Sequence, residues 1–145
     1  MKRVGFLLAV LGLAACGGGA TGLTKAQYGA KVSHLCLVAA DQLRELHMDD
    51  SVSVWEYSGP DVIRIDKHFD KALAALKAPA EIAADARAFL KAYEKVLADD
   101  KAAFAASQGR GDWPTLHKAW IQASKDSRAS WPSAKAIGAT GCYIS

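Results

Sequence analysis

After the first fifteen residues, no stretch of this chain approaches the roughly 20 consecutive apolar residues that a helix needs to cross a bilayer, so the sequence predicts no permanent span. Motifs for common chemistries are missing too. There is no Gly-x-Ser-x-Gly elbow for a serine nucleophile, no His-Glu-x-x-His for zinc and no Cys-x-x-Cys-His for haem. A phosphate-cradling glycine loop and the Glu-x-x-His of di-iron bundles are absent as well. Cysteine is scarce at three residues, none in a Cys-x-x-Cys pair, which argues against a thiol redox centre. Runs of β-branched residues are nearly lacking, which argues against a sheet. Neither sign of charge dominates, with 18 basic and 15 acidic residues alternating along the helical segments. A duplex-binding protein normally shows a basic stripe that neutralises several phosphates, so nucleic acid is not an expected partner.

What is present begins at the N-terminus. Met1, Lys2 and Arg3 form a short positive segment, and an apolar run from Val4 to Ala15 follows that is too short to remain as a span. The run closes on Leu13-Ala14-Ala15-Cys16, which resembles the bacterial lipobox. The resemblance implies cleavage after residue 15 and a diacylglycerol on the Cys16 sulfur. Residues 1–15 are therefore expected to be a lipoprotein signal peptide, and 16–23 a lipidated, glycine-rich tether that lacks side chains with which to pack. Each buried acyl methylene contributes about 0.8 kcal/mol, so two or three chains hold durably where one does not. The membrane is thus an expected partner through lipid alone, on the extracytoplasmic side. Without Lys2 and Arg3, the 18 basic residues fall to 16 against 15 acidic, a net charge of +1.

Residues 24–145 are enough for one domain, small enough to benefit from a covalent staple. With Cys16 lipidated, Cys36 and Cys142 remain, in a compartment where disulfides persist, and they are predicted to be bonded.

The pattern is helical almost throughout, and the fold class expected is all-α, an antiparallel four-helix bundle with its C-terminal tail linked to helix 1. Thr24 and Gln27 form a capping box, Leu23 can staple to Tyr28, and an apolar face runs from Tyr28 through Val32, Leu35, Ala39, Leu43 and Leu46 to about Met48. Residues 49–59 read as a polar connection ending in a Gly-Pro that opens helix 2 at Pro60. Helix 2 carries Val62, Ile65, Phe69, Leu73 and Leu76, and stops at Pro79. Helix 3 carries Ile82, Ala86, Phe89, Tyr93, Val96, Leu97 and Phe104 up to a turn at Gly109-Arg110-Gly111. Asp112 can cap helix 4, whose core stripe is Trp113, Leu116, Trp120 and Ile121, with Trp131 at a similar angle and Pro132 as a possible kink.

The segments "LTKAQYGAKVSHLC" (23–36) and "APAEIAADARAFLKAYEKVLADD" (78–100), with the lone cysteine near the C-terminus, resemble a group of small secreted or lipid-anchored actinobacterial proteins of unestablished function. The resemblance covers about a third of the mature chain and implies a helical domain with a first-helix-to-tail disulfide. The tryptophans and "SVSVWEYS" (51–58) depart from that group's pattern.

Candidate site residues are polar groups on apolar stripes. Asp66 lines up with Val62, Phe69 and Leu73, and Asp100 with Ile82, Phe89 and Tyr93, so both carboxylates are expected to point partly inward. Asp100 and His117 should lie at similar heights on neighbouring helices, and with Asp66 and Trp120 they could form a small-ligand or metal site between helices 3 and 4. Edge positions or a structural ion pair are the competing account, because stripe angles drift. His68 stands between Asp66 and Asp70, but residues two apart face different sides of a helix and cannot readily share one metal. Trp113, Leu116, Trp120 and Trp131 could wall a groove, or fill space that the alanines leave. Trp55 and Tyr57, in the connection over residues 49–59, are the candidates for a partner surface.

The leading expectation is a non-enzymatic, lipid-tethered binding or interaction module of the cell envelope, with no catalytic residues and no cofactor. Its partner would be an envelope protein or a small ligand. A small-ligand or metal-binding lipoprotein is the alternative. An enzyme would need an exposed cluster of titratable groups that the sequence does not show.

Overall fold

The computed structural model describes residues 22–143. The leader, Cys16 and the glycine-rich run through residue 21 lie outside the described residues. The described residues are all-helical and contain no strand: α1 (Lys25–Glu45), α2 (Val52–Ala74), α3 (Ala83–Ser107), α4 (Trp113–Ala129) and the short α5 (Trp131–Ile137), with 3-10 turns at Ala80–Ile82 and Thr140–Cys142. No helix among them is long and apolar enough to cross a membrane.

α1 starts where the capping box predicts. The Gln27 backbone N–H donates to Thr24 Oγ1 at 3.2 Å and the Thr24 N–H donates to Gln27 Oε1 at 2.9 Å, satisfying two donors that the helix end leaves free. Leu23 packs on the core that contains Tyr28. The helix ends at Glu45, short of the expected Met48, because His47 adopts a φ of 48° that turns the chain out of the helix. Leu46 and Met48 then reach a second core around Trp55.

The largest departure from expectation is α2. Residues 52–59 are its first two turns, capped by Ser51, and Pro60 lies inside it. An interior proline costs about 3 kcal/mol. Fully burying a tryptophan removes about 150–250 Å² from water, worth roughly 4–6 kcal/mol at 25 cal/mol/Å². Trp55 is completely buried, so extending the helix past the proline is the favourable outcome.

α3 is the central helix, packed on α2, α4 and α5, while α1 lies on α2 and on the C-terminal turn. One core gathers Tyr28, Val32, Phe69, Leu73, Phe89 and Ile137; the other gathers Trp55, Val62, Ala103, Leu116 and Ala119. The turn before α4 uses Gly109 and Gly111 at φ 72° and 66°, and Asp112 caps α4 by accepting from the Thr115 N–H at 3.1 Å. In α4 the inward positions are Leu116, Ala119 and Ala123. Trp113 and Ile121, expected in the core, are exposed instead, since that spacing rotates them off the buried face. The helical path is interrupted at Ser130, just before the Trp131-Pro132 step, and the Ser130 hydroxyl donates back to the Ser127 carbonyl at 2.6 Å.

Cys36 and Cys142 are bonded, 106 residues apart in sequence. The tail reaches α1 because the contact is lined by glycine. A Cβ on Gly29 would stand 2.6 Å from the Ile137 carbonyl oxygen, and one on Gly141 would stand 2.6 Å from that of Ser33. The Gly141 N–H donates to Ser33 Oγ at 3.3 Å.

Candidate functional site

The two cores do not merge. Where they approach each other the helices leave a cleft of about 730 Å³, lined by Cys36, Leu43 and Met48 on one side, by Phe69 and Tyr93 on another, and closed by Trp131 and the Cys142 tail. A second depression of about 430 Å³ lies against α4, with Trp120, Ala123 and Arg128 in its wall. The two share Val96, Asp100, Ser127 and Trp131, so Asp100 faces both.

Asp66 and Asp100 form the polar floor of this region. Asp66 follows the buried Ile65 on α2 and precedes Phe69 by three residues. On α3 the buried stripe runs Phe89, Leu97, Asp100, Ala103 and Ser107, so Asp100 occupies a core position. The two carboxyl groups stand close enough that each bears on the ionisation of the other. Burial pushes Asp100 up to about 9, reinforced by the charge and hydrogen bond of Asp66 and by the charge of Asp99. Burial also raises Asp66. The Tyr93 hydroxyl beside them is driven up to about 12, first by burial and then by the Asp66 charge, partly offset by a hydrogen bond with Ser127.

Among the described residues no basic side chain forms an ion pair with Asp66 or Asp100. The ion pairs among the described residues are Arg44–Asp41 and Arg64–Asp61 on the surface, and His117–Asp50. Asp66 Oδ2 is fully buried and has no hydrogen-bond partner. Among the described residues no group of three His, Cys, Asp or Glu side chains converges in a way that could hold a metal ion.

Of the expected grouping of Asp100, His117, Trp120 and Asp66, Asp66 borders the cleft, Trp120 borders the depression against α4, Asp100 borders both and His117 neither. His117 Nδ1 lies 2.7 Å from Asp50 Oδ2, because Leu116, Ala119 and Ala123 take the inward positions of α4 and turn His117 to its flank. Trp113 stacks on His117 with ring centroids 4.8 Å apart. Of the proposed aromatic wall, Trp120 and Trp131 line the region, Leu116 belongs to the core and Trp113 faces out.

Trp55 is not a surface residue. It sits in the second core, edge-on to Trp120 at 5.9 Å, and its indole N–H has no partner. Tyr57, two residues on and therefore on another side of α2, is 88% exposed. Tyr93 and Ser127 were not anticipated as part of a polar site. Tyr93 sits on the apolar stripe of helix 3 and reads as core there, and Ser127 carries no distinguishing spacing.

No protein-family model, no curated protein and no solved structure matches the chain.

Proposed function

We propose that this is a lipid-anchored protein of the cell envelope, held through Cys16 on the extracytoplasmic side of the membrane, that acts by binding a small ligand in the cleft at Asp66 and Asp100. The observation that carries the reading is the cleft itself. About 730 Å³ falls within the range of small-molecule sites, and it combines aromatic and aliphatic walls with a few convergent polar groups. The anchor rests on the Leu13-Ala14-Ala15-Cys16 sequence, and the likeness to lipid-anchored actinobacterial proteins favours the outer leaflet of a plasma membrane. The short links between α1 and α2, α2 and α3, and α3 and α4 support helices that alternate in direction.

The protein binds rather than catalyses in this reading. The hydroxyl beside the acid pair, Tyr93, stays protonated far above neutrality, so the pair has no activated nucleophile there. A partner surface is a second reading that Tyr57 favours by its exposure; Trp55 no longer contributes to it.

The test is native mass spectrometry of the protein released from its own envelope, compared with the denatured mass of the same sample. Extra mass that is lost on denaturation, and absent from Asp66→Asn/Asp100→Asn protein, is expected. A native mass equal to that of the lipidated, disulfide-bonded chain would refute the ligand reading and turn attention to Tyr57.

A further inference from the structure

We infer that the cleft takes a small organic cation, an ammonium group on a short apolar stem, whose N–H groups donate to Asp66 and Asp100 while the stem lies against Phe69, Tyr93 and Trp131. The inference rests on the proposed binding role and names the ligand's chemistry.

A buried carboxylate persists in a fold only if something compensates it, normally a cation or several donors. Asp100 is 7% exposed, yet among the described residues it meets no hydrogen-bond donor and no basic side chain outside the Asp66 pair. Both acids nevertheless border open volume instead of packed side chains. The lone pairs of the two acids therefore find donors only when a ligand brings them. A metal ion fits poorly, because among the described residues no third carboxylate, imidazole or thiolate converges on the pair. An anion would be repelled. An ammonium suits the remaining features, since its N–H groups satisfy carboxylate lone pairs that have no other donor, and aromatic faces attract cations.

The proton balance is closed. The empty pair holds one proton between two carboxyl groups; the ammonium replaces it, the proton leaves to solvent, and the charge of the site is unchanged. Affinity therefore rises with pH until the pair has lost its proton. The other groups facing the site are Tyr93 and Asp99 on α3, Arg44 and His47 at the α1 rim, and Arg128 at the α4 rim. Tyr93 stays protonated throughout this range, and His47→Gln serves as the control for a rim contribution.

The experiment titrates the detergent-released full protein with n-butylammonium chloride and, separately, with neutral n-butanol. Tryptophan fluorescence reports occupancy, and calorimetry in two buffers of different ionisation enthalpy reports protons. Butylammonium is expected to bind at least about tenfold more tightly than butanol, with about one proton released per ligand at pH 7. Asp66→Asn/Asp100→Asn protein, shown to be folded by its melting curve, is expected to lose that preference, and His47→Gln to retain it. Equal binding of the two probes, undiminished cation binding by the double variant, or no cation binding up to about 10 mM would each overturn the inference. A bound mass in the native spectrum alongside any of these results would leave the cleft as a ligand site of different chemistry. A bare mass would remove both readings.

Discussion

Replacing Asp100 by asparagine should make the protein more stable, and increasingly so as the pH rises. In the folded chain burial holds this carboxyl up to about 9, against 3.8 for the free group. Below pH 3.8 the folded and unfolded forms are both protonated and the site costs nothing. Between those values the folded form retains a proton that the unfolded form has released, so stability falls as pH rises, by about 1.4 kcal/mol per pH unit for one whole proton. From pH 5 to pH 8 that amounts to as much as about 4 kcal/mol, a large share of the roughly 5–15 kcal/mol that holds a domain together. Asparagine removes the charge at nearly constant shape and can donate an N–H to Asp66. Urea unfolding at pH 5, 6, 7 and 8, with the disulfide intact, should show the stability difference between Asp100→Asn and the parent growing by about 2–4 kcal/mol across the series. At roughly 4 °C per kcal/mol the melting temperatures would separate by a further 8–16 °C or so. A difference that stays constant within about 0.5 kcal/mol from pH 5 to 8 would refute the reasoning, because it would mean that Asp100 titrates in the folded protein as it does in water.

Two further outcomes follow from the packing. Cys142→Ser should cost about 2–5 kcal/mol in urea unfolding, since the bond to Cys36 closes a loop spanning 106 positions; unchanged stability would mean that the tail contributes nothing to holding α1. Trp55→Ala should cost about 3–5 kcal/mol because it empties the second core, whereas Tyr57→Ala should stay within about 0.5 kcal/mol of the parent. The reverse order would return residues 52–59 to the role of an exposed connection.

The sequence alone carried a good deal of this protein. Thr24 with Gln27, the Gly109-Arg110-Gly111 turn and Asp112 each announce a helix boundary through bonds within three or four residues, and each appears where its local chemistry places it. The apolar faces of α1, α2 and α3 were legible because a 3.6-residue period depends on the helix itself and not on its neighbours. The pairing of Cys36 with Cys142 followed once Cys16 was assigned to the lipid, and Asp66 and Asp100 were legible as inward-pointing because they interrupt those faces.

What failed depended on balances between distant parts of the chain. Gly59-Pro60 reads locally as a helix start, and only the burial of Trp55 against Trp120, 65 residues later, makes a helix through Pro60 the better solution. Periodicity likewise places Asp100 and His117 near one connection without fixing the rotation of α4. The small residues Ala119 and Ala123 set that rotation by letting α3 and α4 close together, which sent His117 to Asp50 and left Asp100 to Asp66. The sequence therefore determined most helix boundaries and the buried faces of α1, α2 and α3, since these arise from neighbours along the chain. The tertiary structure alone decided that two acids would meet at the edge of a cleft, since that depends on how helices far apart in sequence are turned toward one another.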